Sequence, residues 1–175
     1  GGVFQRGMMA AHDAKVDGGS LLGGFAKGAF NKDTLKTVII EDNATIKNAY
    51  FGGSVIENVL IGNNVTLGAA VFANCKELTS VKIPGSTILP TTSTGIFANC
   101  DVLKNVELGE GLTTMPASMF VGCIAIENIT IPGSVNTIEE DAFFDCDDLQ
   151  SVTICDGVTT IEPSAFSNCE ALASI

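Results

Sequence analysis

Apolar and polar positions alternate along this chain in a template that keeps returning. Counting from Phe72, Phe97, Phe120, Phe143 and Phe166, a cysteine stands three residues on, at Cys75, Cys100, Cys123, Cys146 and Cys169. Leu78, Leu103, Ile126, Leu149 and Leu172 stand six on, and Val81, Val106, Ile129, Val152 and Ile175 nine on. Ile83, Leu108, Ile131 and Ile154 close the run eleven on. Phe30 and Phe51 head two shorter copies, with Leu35, Val38 and Ile40, then Ile56, Val59 and Ile61. The seven phenylalanines are spaced 21, 21, 25, 23, 23 and 23 residues apart. Such a period marks a solenoid, because each unit is too thin to bury its apolar side alone and must stack on its neighbours.

Each part of the template has a physical reading. Val81-Lys82-Ile83 and Ile129-Thr130-Ile131 are β-branched residues at period two, which predicts one short strand per coil with Val and Ile turned inward. Equivalent strands run the same way and form a parallel sheet. Turn signals follow at Pro84-Gly85-Ser86, Gly109-Glu110-Gly111, Pro132-Gly133-Ser134 and Cys155-Asp156-Gly157. Before each cysteine stands Asn74, Asn99, Gly122, Asp145 or Asn168, the types that best tolerate a left-handed backbone. Phe-x-(Asn/Gly/Asp)-Cys therefore predicts a short helical turn ended by a left-handed residue. Leu112/Met115, Val135/Ile138 and Val158/Ile161 precede their phenylalanines by eight and five residues, as Leu22 and Phe25 precede Phe30. The solenoid is thus expected over residues 22–175, in about seven coils, with residues 1–21 as an N-terminal cap, degenerate repeat or tail.

Ile131-Pro132-Gly133-Ser134-Val135-Asn136-Thr137-Ile138, followed by Ala142-Phe143-Phe144-Asp145-Cys146-Asp147-Asp148-Leu149, resembles the repeat of the BspA-like leucine-rich-repeat proteins. The resemblance runs over about residues 22–175 and is closest in the last three coils. It implies a right-handed curved solenoid of the α/β horseshoe class, carried on bacterial or protist cell-surface or secreted proteins. There such arrays serve in adhesion to host extracellular-matrix proteins, glycans or other cells. The resemblance implies no catalytic residue and no cofactor.

Charge narrows the partners. The formal net charge is −11 with nine Lys and Arg and no basic stripe, a balance that cannot neutralise a phosphate backbone and that disfavours nucleic acid and anionic membranes. No apolar run approaches the roughly 18 residues that span a bilayer, and no charged-then-apolar leader opens the sequence. Glu139, Glu140, Asp141, Asp145, Asp147 and Asp148 form the densest acidic stretch. They lack the Asp-x-Asp-x-Asp-Gly loop and distal Glu of a calcium site, so solvated loop charge is the expectation and no metal is assigned.

Enzymatic chemistry finds little footing. His12 is the only histidine, and it lies in the least regular part of the chain beside Met8 and Met9, where a cap or tail is expected. No phosphate loop, Gly-x-Ser-x-Gly elbow or zinc-ligand spacing is present. Five of the six cysteines share one template position, so they predict a buried, reduced column in which side chains point in parallel rather than toward each other. Cys155 takes the turn position of Pro84 and Pro132 and is expected to be exposed.

The remaining readings are a binding module working through the strand-bearing face and a structural spacer or self-associating module that presents another domain. A spacer should show small polar residues throughout, and one outward column does so: Thr37, Asn58, Ser80, Asn105, Asn128, Ser151 and Ser174. The next column reads Ile39, Leu60, Lys82, Glu107, Thr130 and Thr153, an apolar pair bordered by charge. That anatomy places a candidate ligand-binding surface at Ile39, Asn58, Leu60, Ser80, Lys82, Asn105 and Glu107. The competing expectation is that residues 1–20 fold back over the apolar pair. At the other end, Ile175 falls inside a strand and predicts an apolar edge able to pair with a second chain.

Overall fold

The computed structural model describes residues 13–16, 33–92 and 94–173, the first of these segments by its backbone alone. Each coil places one four-residue strand on a common face. These are β1 (Asp13–Val16), β2 (Thr37–Ile40), β4 (Asn58–Ile61), β6 (Ser80–Ile83), β7 (Asn105–Leu108), β9 (Asn128–Ile131) and β11 (Ser151–Ile154). All pairings are parallel, and the register follows the template, with Val38 opposite Val59 and Val81 opposite Val106. β1, β2, β4, β6 and β7 make one five-stranded sheet, and β9 with β11 makes another. Between β4 and β6 only Asn58 and Ser80 are paired, and between β7 and β9 the ladder is open. At that opening Val106 and Leu108 are only half-buried, whereas Val81, Ile83, Ile129 and Ile131 are buried.

A second ladder, two residues wide, runs along another side of the solenoid. It consists of β3 (Thr45–Ile46) with β5 (Thr66–Leu67), and of β8 (Thr114–Met115), β10 (Thr137–Ile138) and β12 (Thr160–Ile161). Ile88 bridges to Thr66, but nine residues separate Ile88 from Phe97 where six separate Thr66 from Phe72. The extra residues account for the long 25-residue spacing, and there this ladder is interrupted.

The solenoid of short parallel strands is as expected, and the predicted helical turn is corrected: the described residues contain no helix. Each phenylalanine sits midway between two left-handed residues. Before the cysteine these are the expected Asn74, Asn99, Gly122, Asp145 and Asn168. Two residues before the phenylalanine stand Ala49, Ala70, Gly95, Ser118, Asp141 and Ser164, all with positive φ. Three right-handed residues between two left-handed ones close a turn and cannot propagate a helix, which needs consecutive αR residues. The corner amides turn outward along the axis instead. Phe72 N donates to Ile96 O at 2.9 Å and Asn74 N to Ala98 O at 2.7 Å, so the bonds a helix would keep to itself tie one coil to the next.

Six phenylalanines, Phe51 to Phe166, stack face to face with ring centroids 5.2–5.7 Å apart. Phe51 to Phe143 are fully buried, and Phe166 is half-buried. Of the seven coils expected, the one headed by Phe30 is described from Asp33 on, and Phe30 itself lies outside the described residues. So do His12, Met8, Met9, Leu22, Phe25, Ser174 and Ile175.

The cysteine column runs beside the rings, and all six cysteines are free. Each thiol of the column donates to the carbonyl of the phenylalanine one coil back: Cys75 to Phe51, Cys100 to Phe72, Cys123 to Phe97, Cys146 to Phe120 and Cys169 to Phe143, at 3.1–3.3 Å. The cysteine thus satisfies a buried carbonyl and packs as a small hydrophobe at once. Ser54 holds the same place in the coil of Phe51. Cys75, Cys100, Cys123 and Cys146 are buried, while Cys155, expected to be exposed, is half-buried in its turn, as is Cys169. Thiol labelling of the native protein is therefore expected to reach Cys155 and Cys169 and to spare the other four; reaction at Cys100 or Cys123 without unfolding refutes the buried column.

Close turn stacking completes the coil. A Cβ on Gly85 would meet the carbonyl of Glu110, and Gly157, at φ 144°, lies against the carbonyl of Gly133. The Glu110 carboxylate accepts from Gly133 N at 3.0 Å and Ser134 N at 3.2 Å, fastening one turn to the next.

Candidate functional site

In a strand, successive side chains point to opposite sides, so burial of the second and fourth residues turns the first and third toward solvent. Asn58, Ser80 and Asn105 hold the first strand position and lie in register with one another. Ile39 pairs with Leu60 at the third position, and Lys82 pairs with Glu107. All seven side chains singled out in the sequence therefore share one face. Asn58, Leu60, Ser80, Lys82, Asn105 and Glu107 are exposed and Ile39 is half-buried. Leu60, at 56% exposure, is an uncovered aliphatic side chain on a polar face. Asp13–Val16 joins this sheet edge-on, with Lys15 in register with Ile39.

Two shallow clefts meet on the face. One, of about 720 Å³, runs across β4, β6 and β7 to Asn128 at the start of β9, with Val59, Val81 and Val106 in its floor. The other, of about 800 Å³, contains Ile39, Leu60, Glu41 and Asp42. Val59, Leu60 and Lys82 line both, so the two form one groove running along the solenoid axis. Its far wall includes a pair that sequence reasoning missed. Lys104 and Glu127, each one residue before its strand, are joined at 3.5 Å across the opening between β7 and β9. The signal was a column of alternating sign at that template position, Lys36, Glu57, Thr79, Lys104 and Glu127, in which Lys36 and Glu57 also pair, at 3.2 Å.

The groove offers apolar contact, amide and hydroxyl groups and the exposed charges of Asp42, Lys82, Lys104 and Glu107, which is recognition chemistry. Among the described residues no cluster of three His, Cys, Asp or Glu is placed to hold a metal ion. In the acidic stretch, Asp141 and Asp145 are the two left-handed corners around Phe143, a structural use for carboxylates of that type. Among the described residues no helix is long and apolar enough to cross a membrane.

The same architecture recurs in known proteins. A family model of the BspA-type leucine-rich-repeat region matches residues 23–89 and 44–173, in six copies. The crystal structure of a leucine-rich-repeat protein from T. pallidum superposes with a TM-score of 0.68 at 16% identity, covering 91% of this chain and 72% of that one. A leucine-rich cell-surface protein from Faecalibacterium prausnitzii gives a TM-score of 0.52 at 24% identity, covering 92% of this chain and 59% of that one. This chain therefore spans less than two thirds of the length of that protein. A leucine-rich-repeat protein from Bacteroides ovatus is similar at 23% identity and a TM-score of 0.44, covering 81% of this chain and 52% of that one. No curated protein matches the chain. The superpositions carry the fold, a leucine-rich-repeat solenoid, and leave the ligand to the residues of the groove.

Proposed function

Because this chain belongs to the BspA-type leucine-rich-repeat family, we propose that it is a non-catalytic binding module that engages a protein through its strand-bearing face, as part of a surface-displayed or secreted protein. The observation that carries this reading is the uncovered Leu60, paired with Ile39 and bordered by Lys82 and Glu107 inside a single groove. An apolar centre within a polar and charged rim is the anatomy of a protein interface. Leucine-rich-repeat proteins as a class bind other proteins, and the Faecalibacterium structure is described as a cell-surface protein, which supports the adhesin-like setting.

The uniform column Thr37, Asn58, Ser80, Asn105, Asn128 and Ser151 favours a second reading, the spacer. Two of its members bond to each other, Ser151 Oγ donating to Asn128 Oδ1 at 2.5 Å, and side chains satisfied in this way need no partner. Binding to a panel of purified extracellular-matrix and cell-surface proteins separates the two. The binding module is expected to capture at least one, and Ile39→Asp with Leu60→Asp is expected to abolish capture while leaving the melting temperature unchanged. Capture that survives both substitutions overturns the assignment to this face, and no capture at all favours the spacer.

A further inference from the structure

We infer that the groove reads an extended peptide of the pattern apolar-x-acidic-x-basic laid along the solenoid axis, an inference that rests on the protein-binding reading of the same face. Spacing along the groove sets the pattern. Neighbouring coils are about 4.8 Å apart, and side chains on one face of an extended segment are about 6.8 Å apart. From the midpoint of the Ile39–Leu60 pair, Lys82 lies one and a half coils away, at least about 7 Å since β4 and β6 are laddered only at Asn58 and Ser80, and Glu107 two and a half coils away, at least about 12 Å. A segment that seats an apolar side chain on Ile39 and Leu60 brings its next same-face residue over Lys82. The one after, about 14 Å along, falls within reach of Glu107 for a long side chain.

Charge complementarity then fixes the types. Lys82 selects a carboxylate and Glu107 a cation. Lys104 and Glu127 stand one residue before their strands and Glu41 and Asp42 just after β2, so none lies on this column, which continues into neutral Thr130 and Thr153 and ends its charge order at Glu107. Lys82 and Glu107 are neighbours, but an exposed pair of this kind is weakly held and gives way to a ligand that supplies both partners. Alongside, Asn58, Ser80 and Asn105 present amides and a hydroxyl to the N–H and C=O groups of the segment, replacing the water those groups leave behind. The segment can lie in either direction, so the pattern reads from either end.

A phage-displayed library of random linear peptides, panned on the chain, tests this. Peptides carrying the pattern are expected to be enriched and to lose at least about tenfold in affinity on Leu60→Asp. Panning on Lys82→Glu with Glu107→Lys is expected to return apolar-x-basic-x-acidic instead. These side chains are exposed, so unchanged melting checks that each variant is folded. Leu60-dependent peptides with no charge order, or with an order unmoved by the swap, overturn this inference while leaving the protein-binding reading intact. The absence of any Leu60-dependent peptide also overturns it, and the protein panel then decides the broader reading on its own.

Discussion

Phe120→Ala is expected to destabilise the solenoid by about 4 kcal/mol, near the middle of the range for truncating a buried aromatic residue. The ring is fully buried between two others, with centroids 5.4 Å from both Phe97 and Phe143 and interplanar angles of 8° and 18°. Alanine leaves a void with an aromatic face on each side. The site cannot collapse to fill it, because the coil spacing is pinned by backbone bonds from Phe97 N to Met119 O at 2.9 Å and from Phe120 N to Ala142 O at 2.8 Å. Part of that loss is offset stacking, roughly 0.5–1.5 kcal/mol per pair, of which two are lost. Stability in a repeat array is a sum of coil terms and nearest-neighbour terms, so both adjoining interfaces weaken. Phe166, half-buried and with Phe143 as its one described ring neighbour, is expected to cost less when truncated. Equilibrium unfolding in denaturant measures both; a change below about 1 kcal/mol for Phe120→Ala shows that the ring column is not the core.

What was readable in the sequence was what the repeat enforces. A template position fixes which side of the coil a residue faces, so the inward Val and Ile, the ring column, the cysteine column and the shared face of the seven candidate residues all followed from spacing. The left-handed residues before each cysteine were legible because Asn, Gly and Asp advertise that conformation. Their partners two residues before each phenylalanine were not, since Ala49, Ala70, Ser118 and Ser164 carry no such preference, and the first three are held there by amides bonding to the next coil. Hence the helical turn that local reasoning expected became a corner. The second ladder did have a signal, the recurring Thr45-Ile46, Thr66-Leu67, Thr137-Ile138 and Thr160-Ile161 pairs, but runs of two residues are too short for periodicity to distinguish. For the groove, the face was legible and the depth was not. Asn105-Val106-Glu107-Leu108 reads like every other strand, yet the ladder opens after it, and the Lys104–Glu127 pair spans the gap.

Alkaline pH is expected to unfold this protein through its cysteines. Cys100, Cys123 and Cys146 donate their S–H groups to the carbonyls of Phe72, Phe97 and Phe120, so ionisation would bury an anion and aim it at a carbonyl oxygen. Burial pushes the Cys123 thiol from an ordinary value of 9.0 up to about 12. Cys100 is raised by burial and then by its neighbours Cys123 and Cys75, and Cys146 by its hydrogen bond with Cys169 and then by burial. A folded pKa above the unfolded one means that this stability is fully present below about pH 9, because both states then hold the proton. It is lost as pH rises toward 12, where the unfolded chain has released protons that the folded chain retains. Each thiol withdraws about 1.4 kcal/mol per pH unit in that window, and three together withdraw about 4 kcal/mol per unit. A domain in the lower part of the ordinary stability range, about 5–10 kcal/mol, is then expected to unfold between about pH 10 and 12. Base acts on other groups as well, so the decisive comparison is Cys100→Ser, Cys123→Ser and Cys146→Ser combined. The hydroxyl keeps a donor for each phenylalanine carbonyl without ionising, and Ser54, 2% exposed, already fills the equivalent place. The triple variant is expected to hold its fold about one pH unit higher and to show a much flatter dependence of denaturant stability on pH between 9 and 11. Equal slopes in the two proteins would remove the thiol column as the origin of alkaline unfolding.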